Sequence, residues 1–250
     1  MILFFKQFFL LFTLFLFVQA QQDQSFTIKP VNTNAVLGST VVLKCAVTAK
    51  HGDVQWTHEG TALGYDRQVP GKPRYKVIWT DNEDQEYHLQ IVNVTLDDEG
   101  VYACQVAPIG DWDTKLEEKV TLTVLVAPLA RPEIMLNFAM KNNKDVIQIK
   151  QSEISGTRFR CKIGKSKPAS QVKWFLNSTL LTNATATVTE TKEIKNYLFT
   201  ETTSVLEFKP NTQFNNSLIK CQAYHLAYNL SVELENLSSA LRLVIVCKYI

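Results

Sequence analysis

The sequence predicts an all-β chain of two tandem β-sandwiches, and three observations carry that expectation. Short runs of β-branched and apolar residues alternate with polar ones between turn residues along most of the 250 residues. Four cysteines fall into two pairs of near-equal separation, Cys45 to Cys104 (59 residues) and Cys161 to Cys221 (60 residues), which makes an internal repeat. A tryptophan follows the first cysteine of each pair: Trp56 comes 11 residues after Cys45 and Trp174 comes 13 after Cys161.

Length and composition agree with two domains. At roughly 100–150 residues per domain, 250 residues make two. A hydrophobic content of 46% supplies a core for each. The formal charge is +2, and removal of Lys6 with the segment discussed next leaves 2 − 1 = +1. No clustered basic run or long charge run occurs in the sequence, so a nucleic-acid partner is not expected.

Residues 1–20 read as a secretory signal peptide. Lys6 precedes the apolar run Phe8 to Val18, and Val18-Gln19-Ala20 places small residues at the cleavage site. That run is short for a spanning helix, which needs about 20 apolar residues. Export brings an oxidising compartment, where the two cysteine pairs can form disulfides. Closing a loop of that length contributes about 4 kcal/mol on the chain-entropy account. Cys247 is left over, as a free thiol or an intermolecular bridge. Six sequons point to the same compartment, at Asn93, Asn177, Asn183, Asn215, Asn229 and Asn236, and are the expected glycosylation sites.

The expected strands follow in order. In the first half they are Thr40–Val47, Val54–Thr57, Tyr75–Trp79, Tyr87–Val92, Val101–Val106 and Lys119–Val124. Pro128 and Pro132 then stop the last strand and stiffen a linker. In the second half they are Thr157–Ile163, Gln171–Phe175, Thr203–Phe208, Leu218–Ala223 and Ala240–Val246. The expected organisation is a signal peptide at 1–20, one sandwich at 21–126, a linker at 127–133, a second sandwich at 134–246 and a tail at 247–250.

The order Cys45, Trp56, Cys104, with Asp98-Glu99-Gly100-Val101-Tyr102-Ala103 before the second cysteine, defines an immunoglobulin-like domain. A disulfide and an indole fill the thin core between two sheets, and Tyr102 forms the tyrosine corner. Arg74 stands where variable-like domains place a partner for the motif aspartate, here Asp98. The first domain is therefore variable- or intermediate-like. The second has Cys161, Trp174 and Cys221 but carries Ile219 at the tyrosine position, so it is constant- or intermediate-like.

The words around this frame are more specific. Val54-Gln55-Trp56-Thr57-His58-Glu59-Gly60-Thr61-Ala62-Leu63-Gly64, Pro73-Arg74-Tyr75 and Tyr87-His88-Leu89-Gln90-Ile91 resemble the first domain of nephrin and kin-of-irregular-chiasm (Kirre/neph-type) adhesion receptors. Lys167-Pro168-Ala169-Ser170-Gln171-Val172-Lys173-Trp174-Phe175 resembles their second domain. The resemblance covers about residues 25–230. It implies an extracellular recognition or adhesion protein that binds cell-surface immunoglobulin-superfamily proteins, itself included, in neuronal or tissue patterning. Such receptors are usually longer, with a membrane span. Leu241–Val246 is too short to cross a bilayer, so the chain reads as a soluble relative or an incomplete sequence.

In that family first domains pair through the sheet carrying the tryptophan strand. If Trp56 and Cys104 point inward, Gln55, Thr57, Ala103 and Gln105 point outward. Uncharged amides at Gln55 and Gln105 suit a self-complementary interface, where like charges would repel. Thr57, Leu63 and Trp112 complete the expected partner-binding set, with Tyr65 and Ile109 as further loop residues. Two other readings are a soluble antagonist and an immune-type ligand of an unrelated receptor.

Nothing in the sequence composes a catalytic site. His51, His58, His88 and His225 have no metal-binding spacing, and no Cys-x-x-Cys or Gly-x-Ser-x-Gly occurs. Gly164-Lys165-Ser166 ends like a phosphate loop, but Phe159 stands where its first glycine must be. No enzyme activity, metal, cofactor or small-molecule substrate is expected.

Overall fold

A computed structural model describes residues 24–50, 52–78, 86–108, 115–137, 146–150, 157–182, 184–194, 197–209, 211–229 and 237–246, with backbone alone at 184–189, 191 and 229. The expected signal peptide, the tail with Cys247, and the sequon residues Asn183 and Asn236 lie outside the described residues. By contacts the chain divides into two compact units. One draws on residues up to Val31, Val42–Ile91 and Val101–Val120; the other on Asn32–Val41, Val92–Gly100 and Thr121 onward.

The strands of the first sandwich are β1 (Ser25–Ile28), β2 (Thr33–Val36), β3 (Val41–Leu43), β4 (Ala46–Thr48), β5 (Val54–His58), β6 (Thr61–Ala62), β7 (Tyr75–Ile78), β8 (His88–Ile91), β9 (Gly100–Val106) and β10 (Leu116–Leu125). One layer is the five-stranded sheet β2-β10-β9-β5-β6, with β2 parallel to β10. The other holds β3-β8-β7 and the pair β1-β4. The core is Leu43, Trp56, Tyr75, Leu89, Ile91, Tyr102 and Leu122 around the Cys45–Cys104 disulfide, whose Cα atoms are 6.6 Å apart. Trp56 lies directly opposite Cys104 in the β5–β9 register, and its Nε1 donates to the Tyr87 carbonyl at 2.6 Å. Burying an indole stabilises only if its N–H keeps a partner, and this bond supplies one.

Tyr102 is fully buried, its hydroxyl 3.1 Å from that of Tyr75 and its ring stacked on His58 at 4.3 Å. The preceding turn is fixed by Asp98, whose Oδ2 accepts from the Thr95 N–H at 2.7 Å and from the Thr95 hydroxyl at 3.2 Å. Glu59 and Gly60 join β5 to β6 with φ of 49° and 76°, the two positive values that a tight hairpin turn needs.

The second sandwich contains β11 (Glu133–Leu136), β12 (Val146–Lys150), β13 (Arg158–Ser166), β14 (Gln171–Leu176), β15 (Thr179–Leu181), β16 (Ala184–Ile194), β17 (Tyr197–Glu207), β18 (Leu218–Tyr224) and β19 (Ser238–Val246). Its sheets are β11-β13-β17-β16 and β12-β19-β18-β14-β15. Cys161 and Cys221 bridge them with Cα atoms 6.3 Å apart, and Trp174 lies opposite Cys221. The Trp174 Nε1 donates to the Ser204 hydroxyl at 3.1 Å. Ile147, Ile149, Phe159, Ile163, Ile219 and Leu243 close the core. With Ile219 in place of a corner tyrosine, the turn before β18 is tied down by Asn215. Its Oδ1 accepts from the Ile245 N–H at 3.0 Å, and the Asn216 N–H donates to the Leu243 carbonyl at 2.8 Å.

Two tests follow from this packing. A Cβ on Gly52 would lie 1.9 Å from the Ala107 carbonyl oxygen, a backbone atom that cannot swing away. Gly52→Ala is expected to lower unfolding free energy by about 1–3 kcal/mol in denaturant melts. His225 is buried in the second sandwich, with Nε2 3.0 Å from the Pro168 carbonyl and Nδ1 accepting from the Ala227 N–H at 3.2 Å. Burial pushes its imidazole below the ordinary histidine range, opposed by backbone hydrogen bonds at Pro168 and Lys167. The unfolded chain then binds the extra proton first. His225 therefore leaves stability unaffected above its ordinary value near 6.5 and subtracts from it as pH falls through that value. The melting temperature should drop between about pH 7.5 and 5, and His225→Gln should flatten that slope.

Candidate partner-binding face

The outward surface of the sheet β2-β10-β9-β5-β6 follows from its inward one. Val54 and Trp56 on β5, and Tyr102, Cys104 and Val106 on β9, are all buried. Gln55 and Gln105 therefore face out, and they are register partners, side by side on adjacent strands and half-buried. Neither carries a charge, so an amide donor and acceptor from each mark the centre of the face. On β10 the inward residues are Val120, Leu122 and Val124, which turns Glu117 and Lys119 outward. Glu117 pairs with Lys115 and, at 3.3 Å, with Lys119. The ammonium of Lys115, and then that of Lys119, holds the Glu117 carboxyl below the usual carboxylate range. Sequence reasoning missed this pairing, although the two-residue spacing of Lys115, Glu117 and Lys119 was its signal.

Two expected contact residues are not on the surface. Thr57 is 5% exposed and Leu63 is 5% exposed. Thr57 stands opposite Ala103, itself 2% exposed, so both short side chains are covered despite their outward direction. Leu63 is covered because it follows β6 opposite Trp56 and so shares the inward side of the indole. Its N–H donates to the Trp56 carbonyl at 2.9 Å, and the Val77 N–H donates to the Arg67 carbonyl at 2.8 Å. The segment after β6 lines a cavity of about 580 Å³ with His58, Glu59, Leu63, Val69, Pro70 and Lys72 in its walls. Lys72 Nζ lies 3.4 Å from His58 Nδ1 there. Tyr65 is 53% exposed. Trp112 and Ile109 lie outside the described residues. Among the described residues no group of three His, Cys, Asp or Glu side chains could hold a metal, and no helix is long and apolar enough to cross a membrane.

Fold and face together define a tandem immunoglobulin-domain protein. The profile of the immunoglobulin V-set domain matches residues 28–125, and that of the CD80-like C2-set immunoglobulin domain matches residues 145–229. The chain is 32% identical to the Irregular chiasm C-roughest protein of Drosophila melanogaster over 209 residues, which is 82% of this chain and 26% of that protein. It is 28% identical to human nephrin, over 82% of this chain and 16% of nephrin. The crystal structure of Rst D1-D2 superposes with a TM-score of 0.66 at 28% identity, covering 90% of this chain and all of that one. The chain belongs to the nephrin/Kirre family of immunoglobulin-superfamily adhesion proteins. It spans about a quarter or less of the length of the curated relatives it matches.

Burial gives Leu63 a structural role in the monomer. Leu63→Ala is expected to lower unfolding free energy by about 2–4 kcal/mol, as deletion of a buried leucine does. A denaturant melt with an unchanged midpoint would move Leu63 back to the surface.

Proposed function

We propose that this chain is an exported recognition protein that binds cell-surface immunoglobulin-superfamily proteins, a second copy of itself included, through the outward face of β2-β10-β9-β5-β6. The observation that carries this reading is the side-by-side pair Gln55 and Gln105, an uncharged polar centre on the sheet that holds the tryptophan strand. Family membership supports the same class of partner. Thr57 and Leu63 contribute by shaping the sheet beneath the face, and Trp112, which follows β9 in the sequence, contributes with them. Residues 1–20 direct export, and the disulfides suit the compartment reached. Asn93, Asn177 and Asn215 are exposed sequon residues that accept glycans there, as do Asn183, Asn229 and Asn236. The chain performs no catalysis and takes no cofactor.

The test is a binding screen of the exported chain against extracellular immunoglobulin-domain proteins, itself among them. Gln55→Glu and Gln105→Glu should each weaken the association found by about tenfold or more in surface binding or ultracentrifugation. A buried like charge, or an unpaired one, costs several kcal/mol at an interface. Unchanged affinity with an intact melting transition would reject this face.

A further inference from the structure

Two outward cations on one sheet of the second sandwich meet acids across the ladder, and four on the other sheet do not. On β11-β13-β17-β16, Arg158 Nε lies 3.0 Å from Glu207 Oε1, and Lys162 Nζ lies 3.3 Å from Glu201 Oε2. Each of these bases meets an acid on the neighbouring strand β17. On β12-β19-β18-β14-β15 the outward positions alternate with buried Ile147, Trp174, Ile219, Cys221 and Leu243. The described outward positions of that sheet hold Lys150, Lys173, Lys220 and Arg242 and no aspartate or glutamate. None of the four has an ion-pair partner among the described residues.

The register sets these cations in a row. Lys173 on β14 is opposite Gln222, and Lys220 on β18 lies one outward position further along, opposite Ala240. Arg242 on β19 lies one further again, opposite Leu218 and Val146, and Lys150 on β12 two beyond that, opposite Val246. With strands about 4.8 Å apart and outward residues about 6.6 Å apart, the steps are about 8, 8 and 14 Å in one diagonal direction. Two of the four are oriented by ring faces: Lys173 Nζ lies 4.2 Å from the Tyr224 ring centre, and Lys220 Nζ lies 4.5 Å from that of Phe175. Arg242 donates to the Asn216 carbonyl at 3.2 Å. These contacts hold the side chains in place without neutralising them.

From this we infer a second binding surface, for a linear sulfated polysaccharide lying diagonally across β14, β18, β19 and β12. A compact anion would need cations that converge on a point, whereas these are strung along a line. A protein partner would need an apolar centre behind a polar rim, whereas the exposed apolar residues of this sheet, Val146, Leu180, Leu218 and Val246, lie on both sides of the cation row. Binding of this kind is driven by release of counterions and weakens steeply with salt.

The experiment passes the exported chain over an immobilised heparin-derived dodecasaccharide at about 0.15 M salt, with the desulfated saccharide as control. The chain should be retained by the sulfated form alone. Lys150→Ala, Lys173→Ala, Lys220→Ala and Arg242→Ala should each weaken binding about 2- to 5-fold, and all four together about tenfold or more. Lys173→Arg should retain it, and Arg158→Ala on the opposite sheet should change it less than about twofold. Melting curves establish that each variant is folded. Failure of the unaltered chain to bind, or equal loss in the Arg158 control, overturns the inference, as does binding to an acidic protein but not to the saccharide. The result is separable from that for Gln55 and Gln105, whose variants should keep saccharide binding.

Discussion

Each sandwich depends on one constraint: two twisted sheets about 10 Å apart must close over a core one disulfide and one indole thick. In the first, Trp56 faces Cys104 across the β5–β9 ladder, and its N–H is satisfied by the Tyr87 carbonyl. In the second, Trp174 faces Cys221, and Ser204 takes the N–H. This fixes register as well as stability. A slip of one residue would carry the indole to solvent and expose the cystine, so the pairing of β5 with β9 and of β14 with β18 has one acceptable solution. What faces outward is then a consequence of what must face inward. Gln55 and Gln105 meet on one surface because Trp56 and Cys104 meet beneath it, and Lys173 and Lys220 are placed by Trp174 and Cys221 in the same way.

This dependence explains what could be read from the chain alone. Period-two alternation and the cysteine, tryptophan and tyrosine frame disclose β3–β5, β7–β10, β13, β14 and β17–β19, both disulfides and the direction of the side chains on those strands, but not β1, β2, β6, β11, β12, β15 or β16. They do not disclose coverage. Thr57 points outward as alternation requires but is 5% exposed, and Leu63 stands opposite Trp56 on the inward side of the sheet. The segment that follows is tied to β7 by the Val77 N–H on the Arg67 carbonyl, a contact with no periodic trace in the sequence. The corner before β18 is a similar case. Replacing a tyrosine by Ile219 reads as a loss, yet the turn is held by Asn215 Oδ1 on the Ile245 N–H, a side chain whose sequence context announces only a sequon.

Charge is the property that sequence concealed most completely. A formal value of +2 and the absence of any basic run read as an electrostatically neutral chain. The neutrality is an average of two unlike faces. One sheet of the second sandwich pairs Arg158 with Glu207 and Lys162 with Glu201, and the other assembles Lys150, Lys173, Lys220 and Arg242 from four strands far apart in sequence. Only a register converts such scattered residues into a line.

The two outward faces should differ in what governs them. Hydrogen bonds from Gln55 and Gln105 act at contact distance and depend on shape, so salt affects them little. The cation row acts over about 8 Å at physiological ionic strength, and its attraction falls as salt rises. A chain with both would discriminate partners through the first sandwich and be concentrated on a polyanionic surface through the second. Neither requires the other's chemistry, since the amide face gains nothing from a charged ligand and the cation row cannot distinguish one immunoglobulin domain from another. On these two proposals selectivity and retention rest on separate sheets, each positioned by its own disulfide and tryptophan.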